Sequence, residues 1–200
     1  MRADLVKVLF VCTGNLCRSP MAEALLRYEL RKRRCKGIKV SSAGTWAMNG
    51  NSASADAISV LADRGVGLAE HRSRPLVIDE LDSADLIIAM TSVHIREILS
   101  LRPGVAHKIR LLKELEKLVP KRAAGTPSER VAAMLAVARP RRRRALDLDD
   151  PMGLPISSYE RCLAELDVGI SALADILCGP KPSDVETPGE SAKRNSGSGP

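Results

Sequence analysis

Short, mostly apolar runs alternate with longer helix-forming segments along this chain, and that alternation restricts the folds that it can adopt. Four runs have the length and composition of strands in a buried sheet: residues 5–11, 38–42, 85–90 and 108–112. Segments typical of helices separate or follow them, at residues 21–34, 54–64, 92–99, 128–138 and 156–177. This order predicts an α/β fold, a single three-layer domain in which a four-stranded parallel sheet has helices on both faces.

The chain length fits one domain with a hydrophobic core. Only 2% of the 200 residues are aromatic, so Leu, Val, Ile and Ala must fill that core. We expect the domain to span residues 1–178, with an insertion at about 120–148 that is at least partly mobile. Residues 179–200 are rich in Pro, Gly, Ser and charge, and they are predicted to form a disordered tail.

A formal charge of +7 favours anionic partners. Much of the excess lies in two arginine-rich clusters, at residues 31–34 and 141–144. We interpret each cluster as a solvated face or loop; the alternatives are recruitment of acidic phosphoprotein segments or of nucleic acid. No aromatic residue is interleaved with the second cluster, so base stacking is unsupported and nucleic acid is not expected as a partner.

The five cysteines do not follow the pattern of a secreted disulfide framework, because their number is odd and their spacing is irregular. The N-terminus lacks a signal-like apolar stretch, and no run of about 18 apolar residues could span a membrane. We therefore expect a cytoplasmic protein with reduced thiols and no membrane partner. Cys35, Cys162 and Cys178 are interpreted as structural or incidental.

A cysteine and an arginine enclose five residues between the first strand and the first helix. Backbone N–H groups of such a loop can point inward and form an anion-binding nest. Ser19 followed by Pro20 predicts an N-cap and the first helical residue directly after the loop, and the helix adds a positive dipole end. The Arg18 guanidinium can bind two phosphate oxygens, and the same field favours the thiolate of Cys12. The loop therefore predicts a nucleophile beneath a bound phosphate.

This loop carries a resemblance to a known family. Residues 11–23, with the sequence VCTGNLCRSPMAE, closely resemble the low-molecular-weight protein tyrosine phosphatases, although a bare Cys-x5-Arg spacing often arises by chance. Further segments that resemble the family stand at residues 42–46, 71–74, 84–91 and 150–151. The resemblance covers roughly residues 5–112 and 149–177.

The resemblance implies that a phosphorylated protein is hydrolysed without a metal or cofactor. Cys12 would attack phosphorus and form a cysteinyl phosphate, while Arg18 would clamp the equatorial oxygens. Asp150 would act first as general acid and then as general base. Asp147 and Asp149 are rivals for that role, and the Asp-Pro pair favours Asp150.

Other residues in the similar segments are implied in binding or support. Phosphate and substrate contacts are expected from Thr13, Gly14, Asn15, Leu16, Cys17, Trp46 and Met152. A hydrogen-bond network that holds the loop in shape is expected from Asn15, Ser19, Ser42 and His71.

Three of these interpretations concern residues with a plain structural alternative. Cys17 either forms a disulfide with Cys12 under oxidation or simply packs. Trp46 either lines the substrate cleft, which we favour, or fills core volume. His94 and His107 show no partner pattern, so they are interpreted as surface or packing residues.

The expected substrate is phosphotyrosine in proteins. Leu16 is apolar, as in the tyrosine-directed members that this chain resembles, whereas a branch that acts on phosphoarginine carries threonine there. Met152 stands where the family usually has an aromatic residue after Asp-Pro, so a protein phosphoarginine phosphatase is kept as the alternative. A non-catalytic phosphate-binding module is a third hypothesis, and no oligomeric state is predicted. An arsenate reductase is disfavoured because residues 79–112 contain no cysteine.

Overall fold

The computed structural model describes residues 5–118, 125–138 and 146–179. Four strands form one sheet: β1 Val6–Cys12, β2 Ile38–Gly44, β3 Leu86–Ala89 and β4 Ile109–Leu111. Their order is β2-β1-β3-β4, and all neighbouring strands pair in parallel. The four-stranded parallel sheet predicted from the sequence is confirmed.

Six α-helices are found in the described residues: α1 Arg18–Lys32, α2 Ala55–Ala62, α3 Ile78–Ser83, α4 Ser92–Leu101, α5 Pro127–Ala136 and α6 Ile156–Cys178. Two 3-10 segments, Pro103–Lys108 and Leu112–Leu118, flank β4. The sequence pattern does not predict α3, because its six residues are too few to show helical spacing. Helix α5 lies within the insertion that the sequence predicts at about residues 120–148.

Strand β1 shows how the sheet divides the core into two layers. Val8 and Phe10 belong to a cluster with buried residues of α1, α2 and α6. Leu9 and Val11 belong to a second cluster, which contains buried residues of α3 and α4. Side chains alternate between the two faces of a strand, so a sheet covered on both faces needs apolar residues at successive positions. The predicted three-layer arrangement is confirmed.

The carboxyl ends of the strands meet at one edge of the sheet. Cys12 at the end of β1 pairs with Gly44 at the end of β2, and β3 ends shortly before α4 begins. The chain passes from β1 to β2 on one side, while β3 lies on the other side of β1. In open α/β sheets, ligands bind at such a switch point in the strand order. Residues 12–18, which we call the 12–18 loop, lie there.

Helix α1 begins earlier than the sequence pattern predicts. Its first residue is Arg18 and its N-cap is Cys17, so the prediction of Ser19 as N-cap is wrong. Ser19 lies inside the first turn, and its hydroxyl contacts Cys12 and Asn15. The Ser19 hydroxyl therefore bonds to residues of the 12–18 loop and does not cap the helix.

Two predictions fall outside the described residues. These are the arginine cluster at residues 141–144 and the tail from residue 180 onward, so the mobile insertion and the disordered tail remain predictions. Among the helices that the structure describes, none combines the length and apolar character that crossing a membrane requires.

Candidate active site

The 12–18 loop curls around the sulfur of Cys12. Asn15 has a φ of 54°, a left-handed conformation that asparagine tolerates better than most residues. This turn directs the Asn15 N–H toward the Cys12 sulfur, at a distance of 3.3 Å. The Ser19 hydroxyl lies 2.9 Å from the same sulfur. Hydrogen bonds from an amide and a hydroxyl stabilise a thiolate, and the nearby N-terminus of α1 acts in the same direction.

The side chain of Asn15 ties the loop to two other segments. Its amide nitrogen donates to the hydroxyls of Ser19 and Ser42, each at 2.9 Å. Its amide oxygen accepts from the backbone N–H of Arg74 at 3.0 Å. His71 reaches the same residue, because its Nε2 lies 2.8 Å from the Asn15 carbonyl oxygen and must donate to it. The structure therefore gathers the predicted supports, Ser19, Ser42 and His71, around Asn15.

The end of β2 packs directly against the loop backbone. A Cβ atom on Gly44 would lie 2.4 Å from the Thr13 carbonyl oxygen and 2.9 Å from the Asn15 nitrogen, so only glycine allows this approach. Beyond it, the Thr45 N–H donates to the Cys12 carbonyl at 2.9 Å, and the Trp46 N–H donates to Thr13 at 3.0 Å. The loop is thus held from its outer side by main-chain bonds.

Trp46 and Met152 are exposed near the loop. The Trp46 side chain is 74% exposed, so the alternative that it fills core volume is wrong. Its indole nitrogen donates to Glu97 at 2.8 Å. Met152 is 45% exposed, and its sulfur lies 4.0 Å from the Tyr159 hydroxyl. Both residues are linked to the site through their backbone N–H groups, Trp46 to Thr13 and Met152 to Asp150, and both offer exposed apolar surface.

Arg18 lies at the first position of α1 and is buried. One terminal nitrogen of its guanidinium donates to the Leu148 carbonyl at 3.1 Å, and the other forms an ion pair with Asp150. The Asp150 side chain is 46% exposed and also accepts from the Met152 N–H at 3.2 Å. The structure therefore brings Asp150 beside Arg18 and the loop, although 132 residues separate the two in sequence.

The two rival carboxylates have different surroundings. Asp147 accepts hydrogen bonds from the Ser92 backbone at 2.6 Å and from the Ser92 hydroxyl at 2.9 Å, which fixes it at the start of α4. Asp149 is exposed. Of the three aspartates, all of them in the described residues, Asp150 is the one paired with Arg18.

The side chains of Cys17 and Leu16 contact residues outside the 12–18 loop. The buried Cys17 sulfur lies 3.1 Å from the Ser54 hydroxyl and 3.6 Å from that of Tyr159. Burial raises the pKa of Cys17. Cys12 and Cys17 are both free thiols in this structure, and the redox role of Cys17 remains a prediction. Leu16 is half-buried against the core.

Sequence reasoning missed His94, which is buried and hydrogen-bonded to the loop. Its Nδ1 accepts from the Thr91 N–H at 3.1 Å, so the proton lies on Nε2 and is donated to the Thr13 hydroxyl at 2.9 Å. Of the two interpretations of His94, as a surface or a packing residue, the surface alternative is wrong because His94 is buried, and its hydrogen bonds give it a role beyond packing. The sequence did contain one indication of a partner for His94, namely Thr91 three residues before it. Thr91 and His94 form a capping box at the start of α4.

His94 makes the stability of the domain depend on pH. Its burial, and next the charge of Arg18, lower the pKa of His94 to about 4 from 6.5. Between these two pH values the unfolded chain binds a proton that the folded chain does not. The free energy of unfolding should therefore fall by about 3 kcal/mol as the pH drops from 6.5 to 4.

We expect urea titrations at several pH values to show this loss in the wild-type protein. In His94→Gln the slope between pH 6.5 and 4 should be smaller by about one proton, since the amide does not titrate there. His107→Gln is the matched control, because His107 is exposed. Equal slopes in the two variants would contradict the neutral state of His94.

Comparison with known proteins shows that this chain is a phosphatase and gives its family. The chain belongs to the family described as low molecular weight phosphotyrosine protein phosphatase, whose model matches residues 7–125. The family resemblance inferred from the sequence is thereby confirmed.

Individual relatives carry two kinds of name. A probable low molecular weight protein-tyrosine-phosphatase, EpsP of Ralstonia solanacearum, is 32% identical over 82% of this chain and 91% of its own length. A protein-arginine-phosphatase of Geobacillus stearothermophilus is 36% identical over 86% of this chain and 95% of its own length. The crystal structure of a low molecular weight protein tyrosine phosphatase from T. tengcongensis superposes with a TM-score of 0.66 at 32% identity, covering 84% of this chain and 97% of that one.

Proposed function

We propose that this protein hydrolyses phosphate monoesters on tyrosine residues of proteins through a cysteinyl-phosphate intermediate. One observation carries the proposal. The Cys12 sulfur receives the Asn15 N–H and contacts Ser19 at the N-terminus of a helix whose first residue, Arg18, is paired with a carboxylate. This combination supplies a stabilised anionic sulfur, an oxyanion clamp and a proton carrier within one site.

The first step forms a sulfur–phosphorus bond and breaks the ester bond. The Cys12 thiolate attacks phosphorus in line with the leaving oxygen, and Arg18 balances the charge on the equatorial oxygens. Asp150 gives its proton to the leaving tyrosine oxygen, so that a neutral phenol departs. No metal or cofactor takes part in the proposed chemistry.

The second step releases phosphate. Asp150, now a carboxylate, accepts a proton from a water molecule that attacks phosphorus, and the sulfur–phosphorus bond breaks. Cys12 leaves as a thiolate, and the Ser19 hydroxyl, 2.9 Å away, is suited to donate to it. Phosphate then dissociates and the starting protonation states are restored.

The apolar walls of the site favour an aromatic substrate. Trp46 and Met152 are exposed, and Leu16 adds no hydroxyl to the loop. Contact with such apolar surface favours the binding of an aryl ring, whereas the guanidinium of phosphoarginine would need polar partners. The relative named protein-arginine-phosphatase keeps phosphoarginine as a second candidate substrate. We propose a cytoplasmic location, where the five free thiols found in the structure remain reduced.

The substrate assignment is tested by parallel rates on phosphotyrosine and phosphoarginine peptides of the same sequence, with EDTA present. We expect kcat/KM to be higher for phosphotyrosine and unaffected by the chelator. In Leu16→Thr we expect the ratio to move toward phosphoarginine. A higher kcat/KM for phosphoarginine in the unmodified protein would refute the assignment. Tight binding of vanadate without any turnover would instead indicate a binding module.

The role of Asp150 has its own prediction, based on the leaving group. Asp150→Asn should lower kcat by about 10²- to 10³-fold for a phosphotyrosine peptide, whose leaving oxygen needs a proton. For p-nitrophenyl phosphate, whose leaving group departs as an anion, the loss in the first step should be less than about tenfold. Single-turnover rates of phenol release measure this step directly.

Asp149→Asn is the matched control for that experiment, because it removes a neighbouring exposed carboxylate. We expect this variant to retain the wild-type rate on both substrates. If Asp149→Asn reproduced the leaving-group dependence, or if Asp150→Asn slowed both substrates equally, the proton carrier would be assigned wrongly.

A further inference from the structure

Two thiols that the proposed chemistry does not use meet at the far end of helix α1. Cys35 follows that helix after a short turn, and Cys178 is the last residue of α6. The Cys35 sulfur lies 3.9 Å from the carbonyl oxygen of Leu177, the residue directly before Cys178, so the two cysteines are close in space. Both residues are half-buried against the same hydrophobic cluster.

The two chain segments that carry these thiols are held in fixed positions. Arg33 forms ion pairs with Glu29 at 3.3 Å and with Asp175 at 2.5 Å, which joins the end of α1 to the last turns of α6. From the opposite side, Arg130 of α5 donates to the Ile176 carbonyl at 2.8 Å and also to that of Leu177. The closeness of Cys35 and Cys178 is therefore a property of two anchored segments.

Cys35 lines an open groove. The groove has a volume of about 660 Å³ and lies between α1 and β2, and five of its other lining residues are the cations Arg27, Arg31, Arg34, Lys36 and Lys39. A small anionic disulfide such as oxidised glutathione fits this charge. Burial, and next the neighbouring Cys35, raise the pKa of Cys178, which lowers the thiolate fraction of Cys178 at neutral pH. Cys35 is thus the sulfur that meets an incoming reagent first.

We propose that Cys35 and Cys178 form a reversible disulfide that joins the C-terminal ends of α1 and α6. Cys35, as a thiolate, attacks glutathione disulfide, which forms a Cys35–glutathione bond and releases one glutathione thiolate. Cys178 then loses its proton to solvent and attacks the Cys35 sulfur. This second exchange forms the Cys35–Cys178 bond and releases the second glutathione thiolate, and excess reduced glutathione reverses both steps.

The bond lies far from the 12–18 loop. Helix α1 has 15 residues and separates Arg18 from the turn before Cys35 by about 22 Å. The disulfide should therefore stabilise the fold without changing turnover. It closes a loop of more than 100 residues, for which a rise in the unfolding temperature of about 5–10 °C is expected.

The test uses the full chain with Cys12→Ser, so that the 12–18 loop cannot form its own bridge. Four thiols remain: Cys17, Cys35, Cys162 and Cys178. After incubation with glutathione disulfide and alkylation, peptide mass spectrometry should find Cys35 joined to Cys178 and the other two thiols alkylated. The oxidised protein should also unfold at a higher temperature than the reduced one.

Two further replacements in that background report the order of the steps. With Cys178→Ser, the mixed disulfide should be trapped, giving one glutathionyl group on Cys35. With Cys35→Ser, Cys178 should stay reduced under the same incubation. Cys162→Ser is the matched control and should form the bridge normally. Full alkylation of Cys35 and Cys178 after oxidation, or a bridge that includes Cys17 or Cys162, would overturn the proposal.

Discussion

Replacing Cys12 by serine is expected to lower kcat on a phosphotyrosine peptide by at least about 10⁴-fold. A serine hydroxyl has nearly the same size but remains protonated at neutral pH, so the N–H of Asn15 would face a neutral oxygen and no anionic nucleophile. The phosphorylated intermediate should also disappear from rapidly quenched reactions. Substrate binding should survive, because the loop amides and Arg18 are unchanged.

The control for this prediction is Cys35→Ser, which replaces a half-buried thiol beyond the opposite end of α1. It should keep the wild-type kcat. Thermal unfolding of both variants separates loss of chemistry from loss of fold, since neither exchange changes side-chain volume much. A Cys12→Ser protein that is folded and still turns over at the wild-type rate would exclude the cysteinyl-phosphate route.

Arg18→Lys is expected to lower kcat by about 10²- to 10³-fold, although the positive charge is retained. Lysine offers one compact ammonium group and cannot donate to Leu148, Asp150 and a phosphate from separate nitrogens. The Nε of Arg18 is buried and has no hydrogen-bond partner among the described residues, so it is a further donor available to an anion. Affinity for vanadate should decrease together with kcat, as measured by competitive inhibition.

Arg31→Lys provides the matched control, because Arg31 is an exposed arginine on the same helix. We expect its kcat and its vanadate inhibition constant to equal those of the wild-type protein. If Arg18→Lys lost stability but kept full activity in its folded fraction, Arg18 would be an anchor for the Leu148 segment and not an oxyanion clamp.

The parts of the site that are local in sequence could be predicted from the sequence. Five residues separate Cys12 at the end of a strand from Arg18 at the start of a helix, so a single loop fixes their relative positions. The alternation of apolar strands and helices likewise gave the parallel sheet. Asp150 is distant in sequence from both residues, and only the Asp-Pro pair indicated it as the general acid.

The contacts that the sequence did not reveal depend on how distant segments align. The approach of Gly44 to Thr13 follows from the pairing of β1 with β2. The hydrogen bond from His94 to Thr13 follows from the position of α4, which begins shortly after β3 at the same edge of the sheet. In the sequence, neither a glycine nor a histidine indicates which distant residue it will contact. The start of α1 was misplaced for a related reason, because a serine before a proline suits an N-cap locally but here serves the Cys12 sulfur.

The ion pair between Arg18 and Asp150 has a consequence for how an oxyanion enters the site. A small anion that takes the nitrogen of the guanidinium that faces Asp150 must separate the two side chains, and Asp150 then keeps its hydrogen bond from the Met152 N–H. Arg18 is buried, whereas the Asp150 side chain is 46% exposed, so Asp150 is the side chain that has room to move when a phosphate binds.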